Sequence, residues 1–532
     1  MKEKLISFFE NKTAFYIVLF CAMLVKNFPF GFQYFPFSDD FNAYGVYSLY
    51  SGNLWQDVVL RYTLYGFRPL AGLLDAYIIS RFWPNLAIVL FVIFVMHFVT
   101  IFLLDNLFSQ SGIVWGRAAA VFFAFFPTLT ESVYWISASA RIVTTAFFCV
   151  LAAFAMLKFI YREGRHRLWL ALALVSGIVA QGFYEQGILF TFVFTLGLLF
   201  LHRKALPHKA LFAWPFVNLA IIGTHYMIFR DISQLGPRAQ VTGDFFGQLP
   251  VVADRIVTTF VREQGPTVFN TVHWGIRQLF AEHLPLLLLV VFFSLLLALF
   301  VVFDRRGVLG SGRKTVRSLL VGLVLATSTL TIFFVLAESW VWVRNFFYAV
   351  IGLAIFVEVA ARAIRGTHLG VRIGKGIAAF FAIFICFSGF ILEVDSIRLV
   401  ERYDRQIVTS LMEEVERLEP GDEVNQIWLF GLRWTYTRMI NPRITSQIRL
   451  DWALDGAYLA LSRTPSAERP HWMIPVMDGQ DTHIDFDHDS LLGLDETLAV
   501  RELRFEDGVL FFADTGVIFG LIDPDGRFSL KE

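Results

Sequence analysis

PLLLLVVFFSLLLALFVVF, residues Pro285–Phe303, contains no charged side chain and a single hydroxyl, Ser294. At a helical rise of about 1.5 Å per residue, such a run crosses the ~30 Å hydrocarbon layer of a bilayer. The same character recurs outward from it. The 532-residue chain is 56% hydrophobic and 17% charged, holds 59 phenylalanines and has a mean hydropathy of +0.59. That balance excludes an ordinary soluble domain, a disordered chain, a collagen-like repeat and a disulfide scaffold. It also excludes a dedicated nucleic-acid binder, because 45 Lys+Arg are matched by 45 Asp+Glu and leave no basic excess.

The zero net charge conceals a division. Residues 1–392 hold 31 Lys+Arg against 18 Asp+Glu, a net +13, whereas residues 393–532 hold 14 against 27, a net −13. A basic, apolar part followed by an acidic, polar part reads as a transmembrane domain over 1–392 and a soluble domain over 393–532. Cys21, Cys149 and Cys386 each lie inside an apolar run, where packing is their expected role. No structural disulfide and no zinc site is expected.

The hydrophobic runs predict a polytopic helical membrane protein of about eleven spans, near 13–30, 84–104, 114–128, 141–160, 168–182, 185–201, 210–229, 284–303, 318–337, 345–361 and 376–392. Lys2, Lys4 and Lys12 precede the first run, which reads as an anchor with its amino terminus in the cytoplasm. Basic clusters at Arg162/Arg165/Arg167, Arg203/Lys204/Lys209, Arg305/Arg306/Arg313/Lys314/Arg317 and Arg362/Arg365/Arg372/Lys375 then fall on that same side. Only the connection Asp105–Ile113 breaks the pattern. An odd number of spans puts 393–532 outside the cytoplasm, together with the loops 31–83 and 230–283. Within 393–532, a helical stretch Arg398–Leu418 followed by the runs Gln426–Phe430, Leu498–Phe505, Val509–Ala513 and Val517–Ile522 predicts a small α+β domain.

Charges next to hydrocarbon cost roughly 2.5–3.5 kcal/mol each on insertion scales, so those in apolar surroundings need an account. The non-cytoplasmic ends of the runs present Asp39, Asp40, Arg68, Glu131, Arg141, Glu185, Glu338 and Arg344. Each admits a functional and a plain reading. The pair Asp39-Asp40 offers a general base whose pKa is raised by desolvation and by its acidic neighbour, or a cap for a helix starting near Phe41. Arg68, before Pro69, offers a bidentate phosphate ligand or a side chain snorkelling to head groups. Glu131 either orients a sugar hydroxyl or neutralises Arg141. His97 reads as a hydrogen-bonded contact between helices. The acidic run Asp478–Asp489 matches no EF-hand or zinc spacing and reads as a solvated loop.

Four segments fall in an order that resembles a known family. Phe37-Ser38-Asp39-Asp40, with Trp55 and Phe67-Arg68-Pro69-Leu70 after it, resembles the first extracytoplasmic loop of the GT-C superfamily of membrane glycosyltransferases. The segment from Phe123 through Pro127, Glu131 and Trp135 to Ser137 is similar to the "HP..TE..W.S" segment of the tetratricopeptide-containing O-mannosyltransferases and their bacterial relatives. Gly182 to Gly187 resembles their "KE.G" segment, and Arg344 to Tyr348 their "ERY.Y" segment. Phe126 stands where that group has His, Tyr184 where it has Lys, and Arg141 lies two places later than its Arg. No tetratricopeptide repeat follows.

The resemblance implies an integral-membrane enzyme that moves a sugar from a polyprenyl-phosphate-linked donor to an extracytoplasmic acceptor, a glycan, lipid or protein, with inversion. Its setting would be a bacterial cytoplasmic (inner) membrane. Asp39 or Asp40 would be the catalytic base, Arg68 and Arg344 would bind the donor phosphate, and Glu131, Glu185 and Arg141 would position sugar or acceptor. The scheme demands no cofactor and no metal. A transporter or flippase of lipid-linked saccharide, and a membrane scaffold presenting 393–532, are the competing expectations.

Overall fold

The computed structural model describes residues 2–37, 39–49, 68–126, 130–161, 166–229, 244–304, 312–334, 341–364, 369–416, 426–432, 444, 448, 451–463, 472–477, 503–506, 509–512, 517–522 and 528–531. The chain folds as two compact units. The first comprises Met1–Tyr34, Asn53–Leu74 and Ala87–Val394, and the second Phe35–Gly52, Asp75–Leu86 and Asp395–Glu532.

Among the described residues, five helices are long and apolar enough to cross a membrane: Ala87–Gln110, Ile136–Ile160, Leu284–Val302, Val343–Ala363 and Gly370–Glu413. The other apolar runs, among the about eleven expected, form shorter helices where they are described, and the reason is local. Phe126 leaves the helical region at φ −54°, ψ 127°, so the helix Arg117–Phe125 is only 9 residues long, as a residue preceding proline dictates. The helices Lys12–Asn27, His166–Gln181, Glu185–Leu201, Ala213–Phe229 and Gly312–Ser328 have 16 or 17 residues, short of the ~20 that a straight span needs.

In the first unit, the Gly312–Ser328 and Phe347–Ala363 helices cross so closely that a Cβ added at Gly352 would strike the Gly322 carbonyl. Small residues at such a crossing let backbones approach where no hydrophobic force drives helices together. Aromatic edges fill the neighbouring layers, with the Phe300 ring 5.1 Å from that of Phe9 and 5.7 Å from that of Phe15, centre to centre. Asp105, the exception to the basic side, forms an ion pair with Lys12 at 2.8 Å. His97 is buried against the Phe123 and Phe347 rings at 5.1 and 5.5 Å, and its Nε2 has no hydrogen-bond partner. It packs, and the hydrogen bond expected of it is not made by that nitrogen. The three cysteines are unpaired.

Arg117 ties this unit together. Fully buried, its guanidinium donates to the carbonyls of Phe9, Phe300 at 3.0 Å and Glu10 at 2.6 Å, and lies 5.4 Å from both the Phe15 and Phe300 rings. Beside it, the buried Glu358 accepts the amide of Ala119 at 3.0 Å and Nε of Arg362 at 2.7 Å, while Arg362 Nη2 donates to the Trp115 carbonyl at 2.9 Å. Glu358 thus satisfies an orphan donor in the first turn of the Arg117–Phe125 helix and complements its dipole.

In the second unit, the π-helix Phe41–Val46 packs against the helix Asp451–Ser462. A Cβ at Gly45 would overlap Ala460, and one at Gly456 would overlap the Asn42 amide. Phe41, Val46, Ile407, Leu411, Leu454 and Tyr458 form the adjoining core. Among the described residues, six strands belong to this unit: β1 Gln426–Leu432, β2 Trp472–Met477, β3 Leu503–Glu506, β4 Val509–Phe512, β5 Val517–Ile522 and β6 Phe528–Lys531. The four-stranded sheet has the order β2-β1-β5-β6, in which β1 is parallel to β2 and β5 while β6 runs antiparallel to β5. The helix Asp451–Ser462 lies in the connection between the parallel pair β1 and β2, as such a crossover requires. Strands β3 and β4 form a separate antiparallel pair.

The helix Leu369–Val415 runs 47 residues without a break. A span at 376–392 and a separate helix at 398–418 were expected, but the intervening Glu393–Ile397 contains neither glycine nor proline to interrupt the ladder. At ~1.5 Å per residue it is about twice as long as a hydrocarbon layer is thick.

Candidate functional site

Arg68 precedes the helix Pro69–Tyr77, with proline in the first position, where its missing N–H costs nothing. Its carbonyl accepts the amide of Ala71 at 3.0 Å, and the next residue but one, Leu70, donates to the Gly182 carbonyl at 2.9 Å. Gly182 is needed there because a Cβ would meet the Leu70 side chain. The backbone then runs extended through Tyr184 (φ −151°, ψ 133°) and enters the helix Glu185–Leu201. One backbone bond therefore brings two distant segments of sequence side by side.

Across this junction Arg68 and Glu185 form a two-pronged ion pair, with Nε–Oε2 and Nη2–Oε1 both at 2.5 Å. The guanidinium also lies 4.6 Å from the centre of the Tyr184 ring. Burial opposes the Arg68 charge, but the Glu185 carboxylate outweighs it and holds the guanidinium above its ordinary value. Arg141, on the helix Ile136–Ile160, lies within electrostatic reach of both Arg68 and Glu185. Arg344 lies within electrostatic reach of the Tyr184 side chain and stands 5.1 and 5.6 Å from the Trp135 and Trp342 rings. Burial, and after it Glu185, pushes the Tyr184 phenol above its ordinary value, so it remains neutral.

Glu131 belongs to the short helix Thr130–Val133, whose Ser132 hydroxyl donates to the Arg344 carbonyl at 3.3 Å. Its Oε2 is buried and has no hydrogen-bond partner. The reading of Glu131 as the counterion of Arg141 finds no contact in its support. Arg68, Arg141, Arg344 and Glu185 thus share one neighbourhood, and Glu131 borders it through the Ser132 bond. Among the described residues, three guanidinium groups lie there with Glu185 and Glu131, the Thr130 hydroxyl donates to the buried Glu393 carboxylate beside them, and Trp135, Trp342 and Tyr184 supply aromatic faces.

Sequence reasoning passed over three members. Tyr184 receives Nδ2 of Asn345 at 2.8 Å, Asn345 reaches Gln186 Oε1 at 3.1 Å, and Gln186 Nε2 donates to the carbonyls of Thr329 and Asn345, both at 3.2 Å. Asn345 Oδ1 also accepts the amide of Trp342 at 2.6 Å. Gln186 and Asn345 are buried, so this network holds the two segments in register. Their adjacency to Glu185 and Arg344 in the sequence was the available signal.

Asp39 and Asp40 belong to the second unit. Asp40 is buried and its Oδ2 accepts the Phe37 amide at 3.0 Å. It immediately precedes Phe41, the first residue of the π-helix, yet makes no capping bond to that helix. The cap reading is therefore half realised: the position is right, and the carboxylate turns to the preceding turn. Asp39 is half-buried. Glu338, Trp55 and the run Asp478–Asp489 lie outside the described residues.

No family model matches this chain, and no match was found among curated proteins or among solved structures.

Proposed function

We propose that the protein is a membrane glycosyltransferase of the GT-C kind, moving a sugar from a polyprenyl-phosphate donor to an extracytoplasmic acceptor. The observation that supports it is the cluster of Arg68, Arg141 and Arg344 around Tyr184 and Glu185. Guanidinium groups beside aromatic faces suit a group that is anionic at one end and a sugar at the other. In this reading the chain has about eleven spans, and residues 393–532 form an extracytoplasmic α+β domain.

The chemistry needs a base, and the resemblance alone assigns it to Asp39 or Asp40. That carboxylate takes the acceptor hydroxyl proton as the oxygen attacks the anomeric carbon. The bond from the anomeric carbon to the phosphate oxygen breaks with inversion, and polyprenyl phosphate leaves with the electron pair. A phosphate is already a stable anion, so it needs charge stabilisation more than a proton. Guanidinium groups fixed in position supply that stabilisation without reorganising, and holding both reactants together supplies much of the remainder. Arg68 is already held by Glu185, so its share is to set the field and shape of the pocket, and Arg344 is the more available phosphate ligand. Glu131, with one carboxylate oxygen unsatisfied, orients a sugar hydroxyl.

The test is transfer itself. Purified full-length protein in vesicles, given polyprenyl-phosphate donors with radiolabelled sugars and an envelope extract as acceptor, should release labelled product, and envelope glycans of a deletion strain should lack one sugar by mass spectrometry. Donor lipid that equilibrates across the vesicle without sugar transfer would replace this reading with a flippase. Unchanged glycans together with no transfer from any donor would remove the enzyme reading.

A further inference from the structure

On the side bearing the basic clusters, the end of the Ala87–Gln110 helix, the helix Glu185–Leu201 and the helix Gly312–Ser328 enclose a groove of about 740 Å³. Its walls are almost wholly apolar. Gly197 lines it with open space where a Cβ would stand, and Phe200, Val316, Leu320 and Val324 are each at least half exposed. At Arg317 the groove meets a second, more polar cavity of about 380 Å³, whose lining includes His202, Arg203, Lys204 and Tyr161. Arg317 donates one Nη2 bond to the Ser111 carbonyl at 2.9 Å, and its buried Nε has no partner. Among the described residues, no carboxylate lines either cavity, whereas Arg203, Lys204, Arg313 and Arg317 do.

His202 is fixed between Ser111 and Tyr161, each at 2.9 Å. Burial, with Arg317 adding to it, holds its imidazole below the ordinary value, so it takes no cationic share. The four cations therefore face an unbalanced site at the mouth of an apolar channel. Water fits the polar end and not the apolar one. A molecule with a phosphate and a hydrocarbon chain fits both.

We propose that this double cavity is a binding site for an anionic phospholipid of the leaflet on the basic side. The phosphate sits among Arg203, Lys204, Arg313 and Arg317, and one acyl chain lies along Gly197 in the groove. The inference needs the helical membrane architecture only and is independent of the glycosyltransferase reading.

Full-length protein reconstituted in nanodiscs of phosphatidylcholine with a minor share of phosphatidylglycerol, then stripped with mild detergent, should retain phosphatidylglycerol in native mass spectrometry at least fivefold over its share in the disc. The triple variant Arg203→Gln, Lys204→Gln, Arg313→Gln spares the Ser111 bond of Arg317 and should bring that enrichment to unity. Gly197→Phe, placed in open space, should reduce it with all four cations intact. Inorganic phosphate at millimolar concentration should not displace the lipid. Equal retention of both lipids by the wild type would overturn the site. So would enrichment unchanged in both variants, or displacement by inorganic phosphate, which would mark a site for the free anion. Thermal melts of both variants within a few degrees of wild type establish that the loss is not unfolding, and if both unfold, Val324→Phe, on an exposed groove position, carries the same expectation and the same overturning result.

Discussion

Two ionic groups within the first unit behave oppositely. Around Arg117, Glu358 and Arg362, buried cations spend their donors on main-chain carbonyls and a neighbouring carboxylate. Around Arg68, Arg141 and Arg344, cations lie near one another, two of them gather about Tyr184, and the Glu131 carboxylate keeps an unsatisfied oxygen. Both groups contain charges that apolar surroundings should exclude. In the first, the contacts named join segments distant in the sequence or pair neighbours within one helix. The second holds like charges together, which costs stability and leaves capacity for a ligand. Proximity of charges alone does not separate a lock from a site, but the balance of donors and acceptors does.

That contrast can be broken most sharply at Arg117. Arg117→Ala strands carbonyls at Phe9, Glu10 and Phe300, and each buried acceptor left unsatisfied costs about 1–3 kcal/mol. We expect little folded protein in detergent, measured by size-exclusion yield, and an Arg117→Ala variant with wild-type yield would end the structural reading of this group. Gly116→Ala comes next. Its Cβ would overlap the Glu358 carboxylate, and forcing extra volume into such a site costs about 1–3 kcal/mol, visible as a lowered midpoint in a thermal unfolding curve.

The second group should respond less in stability and more in function. The Arg68 and Glu185 side chains retain 22% and 29% exposure, so solvent screening limits their pair to about 1 kcal/mol. Arg68→Gln and Glu185→Gln should each leave the protein folded while transfer from the lipid-linked donor falls at least tenfold. A double-mutant cycle then reads the coupling, and a double variant as active as wild type would reassign the pair to structure. Asp39→Asn and Asp40→Asn should leave expression intact, and at least one should abolish transfer; activity in both and in the double variant would remove the base. The smallest stability effect is expected at Glu131→Gln. Neutralising a carboxylate oxygen that has no partner should leave the unfolding midpoint unchanged within a degree while weakening acceptor or sugar use in the kinetics.

How far these groups could be read beforehand depends on the residue. Glu185 and Arg344 were visible because each interrupts an apolar stretch at its end, where a charge is conspicuous. Arg68 was visible through Pro69, which marks a helix start. Lys26 was not singled out, although it is buried, donates to the Ala124 carbonyl at 2.6 Å and lies 4.2 Å from the Phe390 ring. Its acceptor is a backbone carbonyl 98 positions away, and no residue-type pattern reports a carbonyl. Arg117 escaped for the same reason. Gln186 and Asn345, uncharged amides flanking conspicuous neighbours, gained their importance from a bond spanning 159 positions.

Hydropathy and charge order settled what needs no long-range contact: that the chain is helical and apolar, where its long apolar runs lie, and that its last 140 residues differ in character. These follow from transfer free energies summed along a local window. Whether the helix at Leu369 would stop or continue to Val415, which arginines would join helices and which would gather beside Tyr184, and that Asp40 would turn back to Phe37 depended on folding. Each is a competition among partners far apart in the chain, decided by which donors and acceptors the packed helices bring within about 3 Å of one another.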